Sequence, residues 1–240
     1  CLNAGVTPVV GTMASIGAGD LVWNATMALG LLGEGEMEAA DGTRGDGKKI
    51  LAAADIPPLK PGPRDGLALC NNATHSAALA ALALAGAIRG YEAVQSSAVA
   101  TMEAFQANLS PLDHRVLALR PQPGQAEAAT GLRHRLEGSV LQTDDAARRL
   151  QDPLSIRNIV QVHGAAAAAL AYLTDAVDAE INGASDNPVA LEEGNTILSA
   201  GAYHTPHLTI AIEVVSRGFV HLAVMQLARL SKMMAERFTD

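Results

Sequence analysis

Long apolar stretches rich in Ala alternate with polar connections that carry Pro and Gly. Asp20 stands as an N-cap before an apolar run that ends at Leu32, where Gly33 and Gly35 stop it. From Ala73 to Ala107, Leu79, Leu82, Ala83, Gly86 and Tyr91 recur near helical spacing while Ala fills most other faces. That pattern predicts a long helix buried on all sides. A shorter helix is predicted from Gln125 to Leu136, and a long one from Ser155 to Ile181, ended by Asn182-Gly183. The last helix starts at Thr205 as N-cap, with Pro206 in its first position, and runs to Met234. Between these lie an irregular Gly-rich opening (1–19), an excursion (41–66) and a Pro-punctuated link (108–123). The excursion is given a short strand at Lys49-Ile50-Leu51, and the loop 183–204 another at Thr196-Ile197-Leu198. The expected fold is mainly α, four or five helices with three of them long, and no internal repeat is evident.

Composition sharpens this. The chain has 240 residues, 49% hydrophobic but only 3% aromatic, so Ala, Leu, Val and Ile must build closely packed helices. A net charge of −8 without a basic stripe argues against nucleic-acid binding. Cys1 and Cys70 cannot make a disulfide framework, so a reducing, cytoplasmic compartment is expected. The chain opens at Cys1, which suggests a fragment or processed product. The longest apolar stretch, Ser76 to Ile88, falls short of the ~18 residues of a membrane span before Arg89 interrupts it, so no membrane association is expected. Helices this apolar need cover from partner chains or further sequence.

Four strings carry candidate chemistry. The first is Leu2-Asn3-Ala4-Gly5-Val6-Thr7-Pro8, followed by Ala14-Ser15-Ile16-Gly17-Ala18-Gly19-Asp20-Leu21. By itself it is a tight turn running into a helix start, or an anion site there. The second is Gly66-Leu67-Ala68-Leu69-Cys70-Asn71-Asn72, whose Asn pair alone reads as a helix cap. The third is Gln151-Asp152-Pro153-Leu154-Ser155-Ile156-Arg157, a capped helix start with a surface Arg. The fourth is Ser185-Asp186-Asn187-Pro188, a turn, then Ser199-Ala200-Gly201-Ala202-Tyr203-His204. His204 and His207 have no third ligand nearby in the sequence, so no metal site is expected, and His163 reads as a core or interface histidine.

In this order and spacing, the strings resemble the histidine and phenylalanine ammonia-lyase family, and the opening looks most like its histidine branch. The resemblance covers essentially residues 1–240, as the central portion of a longer family chain, and implies that family's long-helix bundle. It implies a 4-methylidene-imidazol-5-one electrophile, which members form by cyclising an Ala-Ser-Gly triplet. Ala18 and Gly19 match the flanks of that triplet, but no Ser stands between them. Two explanations stand: the chain has lost its precursor, or a matured residue goes unwritten in the one-letter sequence. The second is preferred, because much of the remaining site survives.

The resemblance assigns Asn71 and Gln151 to the cofactor's surroundings. Arg157 becomes the partner of the substrate carboxylate, and Tyr203 the aromatic bordering substrate and cofactor. Leu154 and Ala202 stand where members commonly have Tyr and Asn. The implied activity is elimination of ammonia from histidine, phenylalanine or tyrosine, giving an α,β-unsaturated acid, in a homotetramer whose subunits share sites. An aminomutase of the same family, and a non-catalytic helical scaffold that lost its cofactor, are the alternatives.

Overall fold

A computed structural model describes residues 1–14 and 18–239; Ser15, Ile16 and Gly17 of the first string lie outside the described residues. The fold is mainly helical, as the pattern predicts. The chain divides into two units: residues 1–80 with 177–207, and residues 81–176 with 208–240.

The first unit opens with strand β1 (Thr7–Pro8), helix α1 (Leu21–Leu32), strands β2 (Glu36–Glu38) and β3 (Arg44–Asp46), and helix α2 (Gly47–Ala53). The strands form an antiparallel sheet in the order β1-β2-β3. Gly33 ends α1 in the left-handed conformation (φ 77°), which glycine adopts without a Cβ penalty. The predicted strand at 49–51 is instead part of α2. Asp46 caps that helix, its carboxylate accepting from the Lys49 amide at 3.0 Å, so Ile50 and Leu51 follow a helical start. Val6, Met37 and Leu51 form this region's buried core. Short α3 (Asp65–Cys70) follows, a helix the pattern did not predict, then the start of α4 (Thr74–Phe105). After the end of α8 (Ile159–Asn182), β4 (Val189–Leu191) and β5 (Thr196–Leu198) form a hairpin that includes the expected strand.

The second unit holds the rest of α4 and α8, with α5 (His114–Ala118), α6 (Gln125–Arg135), α7 (Leu154–Arg157), most of α9 (Pro206–Met233) and α10 (Glu236–Thr239). Its core gathers Met102, Phe105, Leu132, Leu136, Ile156 and Ile159. The single helix predicted for 155–181 is two, separated at Asn158. Burial also departs from the pattern. Leu79 and Leu82 are 52% and 72% exposed, so α4 is not buried on all sides within this chain.

The stretch Asp65–Phe105 and the helix Pro206–Met233 are both long and apolar enough to cross a membrane by length and composition. The expectation from uninterrupted apolar runs missed this, because it stopped counting at Arg89.

Candidate active site

The first unit gathers the first, second and fourth strings. Gly19 has φ 76°, and a Cβ placed on it would lie 3.6 Å from the Asn72 carbonyl oxygen and 3.7 Å from the Tyr203 Cβ. The backbone at Gly19 thus lies against both the turn before α4 and the Tyr203 loop. Ala18 is exposed beside it, and Tyr203 is half-buried.

Asp20 fixes this arrangement. It is buried, and its amide donates to the Asn72 carbonyl at 2.8 Å. The sequence marks it as the cap of its own helix, but its carboxylate makes no capping bond to α1. Instead Oδ2 accepts from the Ser76 amide and Oδ1 from the Ser76 hydroxyl, both at 2.7 Å. These groups lie in the first turn of α4, where amides have no partner within the helix and the helix dipole favours negative charge. Buried Asn24 adds a second tie, donating from Nδ2 to the Asn72 side-chain oxygen at 2.8 Å and to the Asn72 carbonyl at 3.1 Å. Asn72 also accepts from the Thr74 amide at 3.0 Å, the local turn expected of an Asn before a helix. Trp23 stacks on His75, with ring centroids 4.4 Å apart.

Asn71 donates from Nδ2 to the Asn187 carbonyl at 3.2 Å. The Ser185–Pro188 turn that receives it is held from both sides. An Arg64 amine reaches Asp186 Oδ2 at 2.8 Å and the Pro188 carbonyl at 2.6 Å. Asn187 Oδ1 accepts from the Ala200 amide at 2.9 Å, and the Ser185 hydroxyl donates to the Ala202 carbonyl at 2.6 Å. The turn therefore anchors both Asn71 and the loop that carries Tyr203.

The second unit brings Gln151 and Arg157 together: Arg157 Nη1 donates to Gln151 Oε1 at 2.7 Å. Both line a cavity of about 300 Å³ with Asn108, Ser110, Asn158 and Gln161. Asp152 shares the lining and is buried. Its Oδ2 accepts from the Asn108 amide at 2.7 Å, while Oδ1 has no partner. Burial raises its pKa above the usual carboxylate value, against the lowering effects of the Asn108 amide and of Arg149. Leu154, at the position where the family commonly has Tyr, is 60% exposed.

Asn24, Ser76 and Arg64 lie outside the four sequence strings. Arg64 and Asp186 are 122 positions apart, and Asp20 and Ser76 are 56 apart. No local pattern joins such pairs.

The surroundings suit a compact backbone-derived group: two small residues, a left-handed glycine and flanking amide-rich turns. The precursor does not fit. The methylidene carbon of such a group derives from a seryl Cβ, and Ala18 is bonded directly to Gly19.

The family model for aromatic amino acid lyases matches residues 1–240. A histidine ammonia-lyase of Geobacillus thermodenitrificans is 37% identical over 240 residues, covering all of this chain and 46% of that relative. The chain thus spans about half the length of the curated relatives it matches. Among solved structures, an ergothionase from Treponema denticola superposes with a TM-score of 0.91 at 28% identity, over 99% of this chain and 48% of that one. A histidine ammonia-lyase from Trypanosoma cruzi superposes with a TM-score of 0.84 at 27% identity, over 99% and 44%. The match over the full span of residues shows that this chain belongs to the aromatic amino acid lyase family.

Proposed function

We propose that the protein containing this chain is a carbon–nitrogen lyase that releases ammonia from histidine or an aromatic L-α-amino acid. The observation that carries the reading is the Arg157–Gln151 pair on a cavity of about 300 Å³, in a chain 37% identical to a histidine ammonia-lyase. A planar guanidinium suits a substrate carboxylate because it offers two parallel donors. Gln151 occupies one donor of Arg157 and so fixes the direction in which the others point. In the other unit Tyr203 lies beside Gly19, and Asn71 adjoins Asn72, whose carbonyl does the same. Their part is to border and orient whatever occupies that segment.

No reaction step is routed through the methylidene group, because the written chain lacks its precursor carbon. The lyase reading therefore requires a residue between Ala18 and Gly19 that the one-letter sequence does not write. A second reading, a non-catalytic scaffold, is favoured by the direct Ala18–Gly19 bond, with Leu154 and Ala202 as further departures. An aminomutase differs from the lyase only in re-adding ammonia at the β-carbon.

The mass of a peptide across this segment decides between the two main readings. A proteolytic peptide spanning Ala18 and Gly19 that is heavier than its written sequence by one serine residue less two waters, in a protein forming an α,β-unsaturated acid from histidine, phenylalanine or tyrosine, supports the lyase. A peptide of the written mass, with no product, supports the scaffold.

The reading includes a homotetramer. Its support is the apolar stripe of α9, where Val220, Val224, Leu227 and Leu230 are 61%, 62%, 66% and 55% exposed at helical spacing. It also includes a reducing, cytoplasmic location without membrane association; Cys1 and Cys70 are both free. Light scattering after gel filtration tests the assembly.

A further inference from the structure

Arg157 presents a fixed guanidinium only if the group that holds it is itself held. Its backbone is secure: the Arg157 amide donates to the Pro153 carbonyl at 3.0 Å, and neighbouring Ile156 is buried in the core. Its side chain is tied to Gln151. Gln151 is exposed and belongs to residues 143–153, which form neither helix nor strand. A segment of that kind has no ladder of its own to fix a side chain.

The fixing bonds come from residues 106–108, just past the end of α4. The Gln106 carbonyl accepts from the Arg148 amide at 2.9 Å. Asn108 Nδ2 donates to the Leu150 carbonyl at 2.9 Å, and the Asn108 amide donates to Asp152 Oδ2 at 2.7 Å. Leu150 and Asp152 are the two chain neighbours of Gln151, so one residue brackets Gln151 on both sides. The Asn108 side-chain oxygen is engaged as well. It accepts from the Ser110 amide at 2.9 Å and from the Ser110 hydroxyl at 2.6 Å, a turn that sets which way the side chain faces. Asn108 lines the same cavity as Gln151 and Arg157, but both ends of its amide are committed to the protein. Its part there is to hold rather than to contact a ligand.

We propose, resting on the lyase reading, that Asn108 is a positioning residue: by bracketing Gln151 it sets the direction in which the Arg157 guanidinium meets the substrate carboxylate.

The test uses the full-length protein. Asn108→Ser keeps an oxygen that can accept from the Ser110 amide but is too short to reach the Leu150 carbonyl. In its crystal structure Gln151 is expected to shift and to lose its contact with Arg157, with α4 and α8 in place. An unchanged Gln151–Arg157 contact overturns the proposal, whatever the activity. Kinetics use whichever of histidine, phenylalanine and tyrosine the wild type converts. Asn108→Ser is expected to raise KM about 5–10-fold with kcat within about twofold. In an Arg157→Lys background, where the planar fork is already lost, the same change is expected to raise KM less than about twofold. An equal rise in both backgrounds, or a fall in kcat alone, overturns the proposal, because Asn108 would then not act through Arg157. Gln151→Ala removes the middle link at an exposed position. The same KM rise is expected there, and an unchanged KM overturns the proposal. A wild-type protein that converts none of the three amino acids overturns the lyase reading instead, and the crystal comparison still decides whether Asn108 holds Gln151 and Arg157.

Discussion

Replacing Asp20 by Ala tests whether the start of α4 is held in place by a carboxylate at the N-cap of α1. The side chain is 2% exposed and accepts two hydrogen bonds from Ser76, both at 2.7 Å. Hydrogen bonds to a charged group contribute about 1.5–3 kcal/mol each. A carboxylate at a helix N-terminus adds about 0.3–1 kcal/mol, and up to ~2 when partly buried. Both bonds share one carboxylate, so the contributions overlap, and Asp20→Ala is expected to cost about 3–4 kcal/mol. Ser76→Ala removes only the hydroxyl bond and leaves the amide bond, so it is expected to cost about 1–2 kcal/mol. Equilibrium urea unfolding of the full-length protein gives each value, and the double variant gives the coupling, expected at about 1–2 kcal/mol. Amide exchange at Ser76 is expected to quicken in Asp20→Ala. A cost below about 1 kcal/mol for Asp20→Ala, or additivity within ~0.3–0.5 kcal/mol, would refute the argument.

Three further outcomes follow from the same coordinates. Arg157→Lys keeps the charge but loses the planar fork; on the proposed lyase reading, catalytic efficiency of the full-length protein is expected to fall about 10–100-fold, mostly through KM, in steady-state assays. Gly124→Ala places a Cβ 2.1 Å from the Gly164 carbonyl oxygen at a φ of 77°, whereas Gly138→Ala meets the same strain (φ 78°) in open space. The first is expected to cost more than about 3 kcal/mol and the second only about 1, measured by urea unfolding. Burial holds the His163 pKa down at about 3, so below 6.5 the unfolded chain binds a proton that the folded chain refuses. Stability is then expected to decline as pH falls from 6.5 toward 3, by up to about 1.4 kcal/mol per unit, and His163→Leu is expected to flatten that slope.

What the sequence shows of the fold is what is local. Thr205 and Pro206 mark the start of α9, and Gly33 marks the end of α1, because caps and breakers act within a few residues. The break at Asn158 is invisible, since neither Pro nor Gly marks it. The strand assigned to 49–51 fails because a short apolar pair is ambiguous and the deciding residue, Asp46, lies outside it. The candidate site divides the same way. Asn71, Gln151, Arg157 and Tyr203 are found as members of short strings. The residues that hold them, Asp20 against Ser76 and Arg64 against Asp186, meet across 56 and 122 positions. Such pairings are set by packing, and nothing in one sequence announces them. The exposure of α4 and α9 has the same origin: apolar periodicity says that a face will be covered, not which chain covers it.

The segment that carries the missing residue is clamped at both ends, and this makes its competence testable. On one side the Gly11 carbonyl accepts from Trp23 Nε1 at 2.7 Å. On the other, the Asp20 amide donates to the Asn72 carbonyl at 2.8 Å, while the Asp20 carboxylate holds Ser76. One added residue lengthens the chain between these clamps by at most ~3.6 Å. Ala18 is exposed, so that length has room to be absorbed on the outer side of the turn while α1 stays in register. Inserting one Ser between Ala18 and Gly19 is therefore expected to leave the fold intact, with an unchanged circular dichroism spectrum. If the flanking turns are competent to shape the backbone, the inserted protein loses two waters, seen as an intact mass below that of its own sequence. Full mass with an intact fold would mean that Asn72 and Tyr203 brace an ordinary turn, and the scaffold reading would then stand. A mass lower by two waters would mean that the written chain departs from its family by one residue and that the surrounding architecture is already built to receive it.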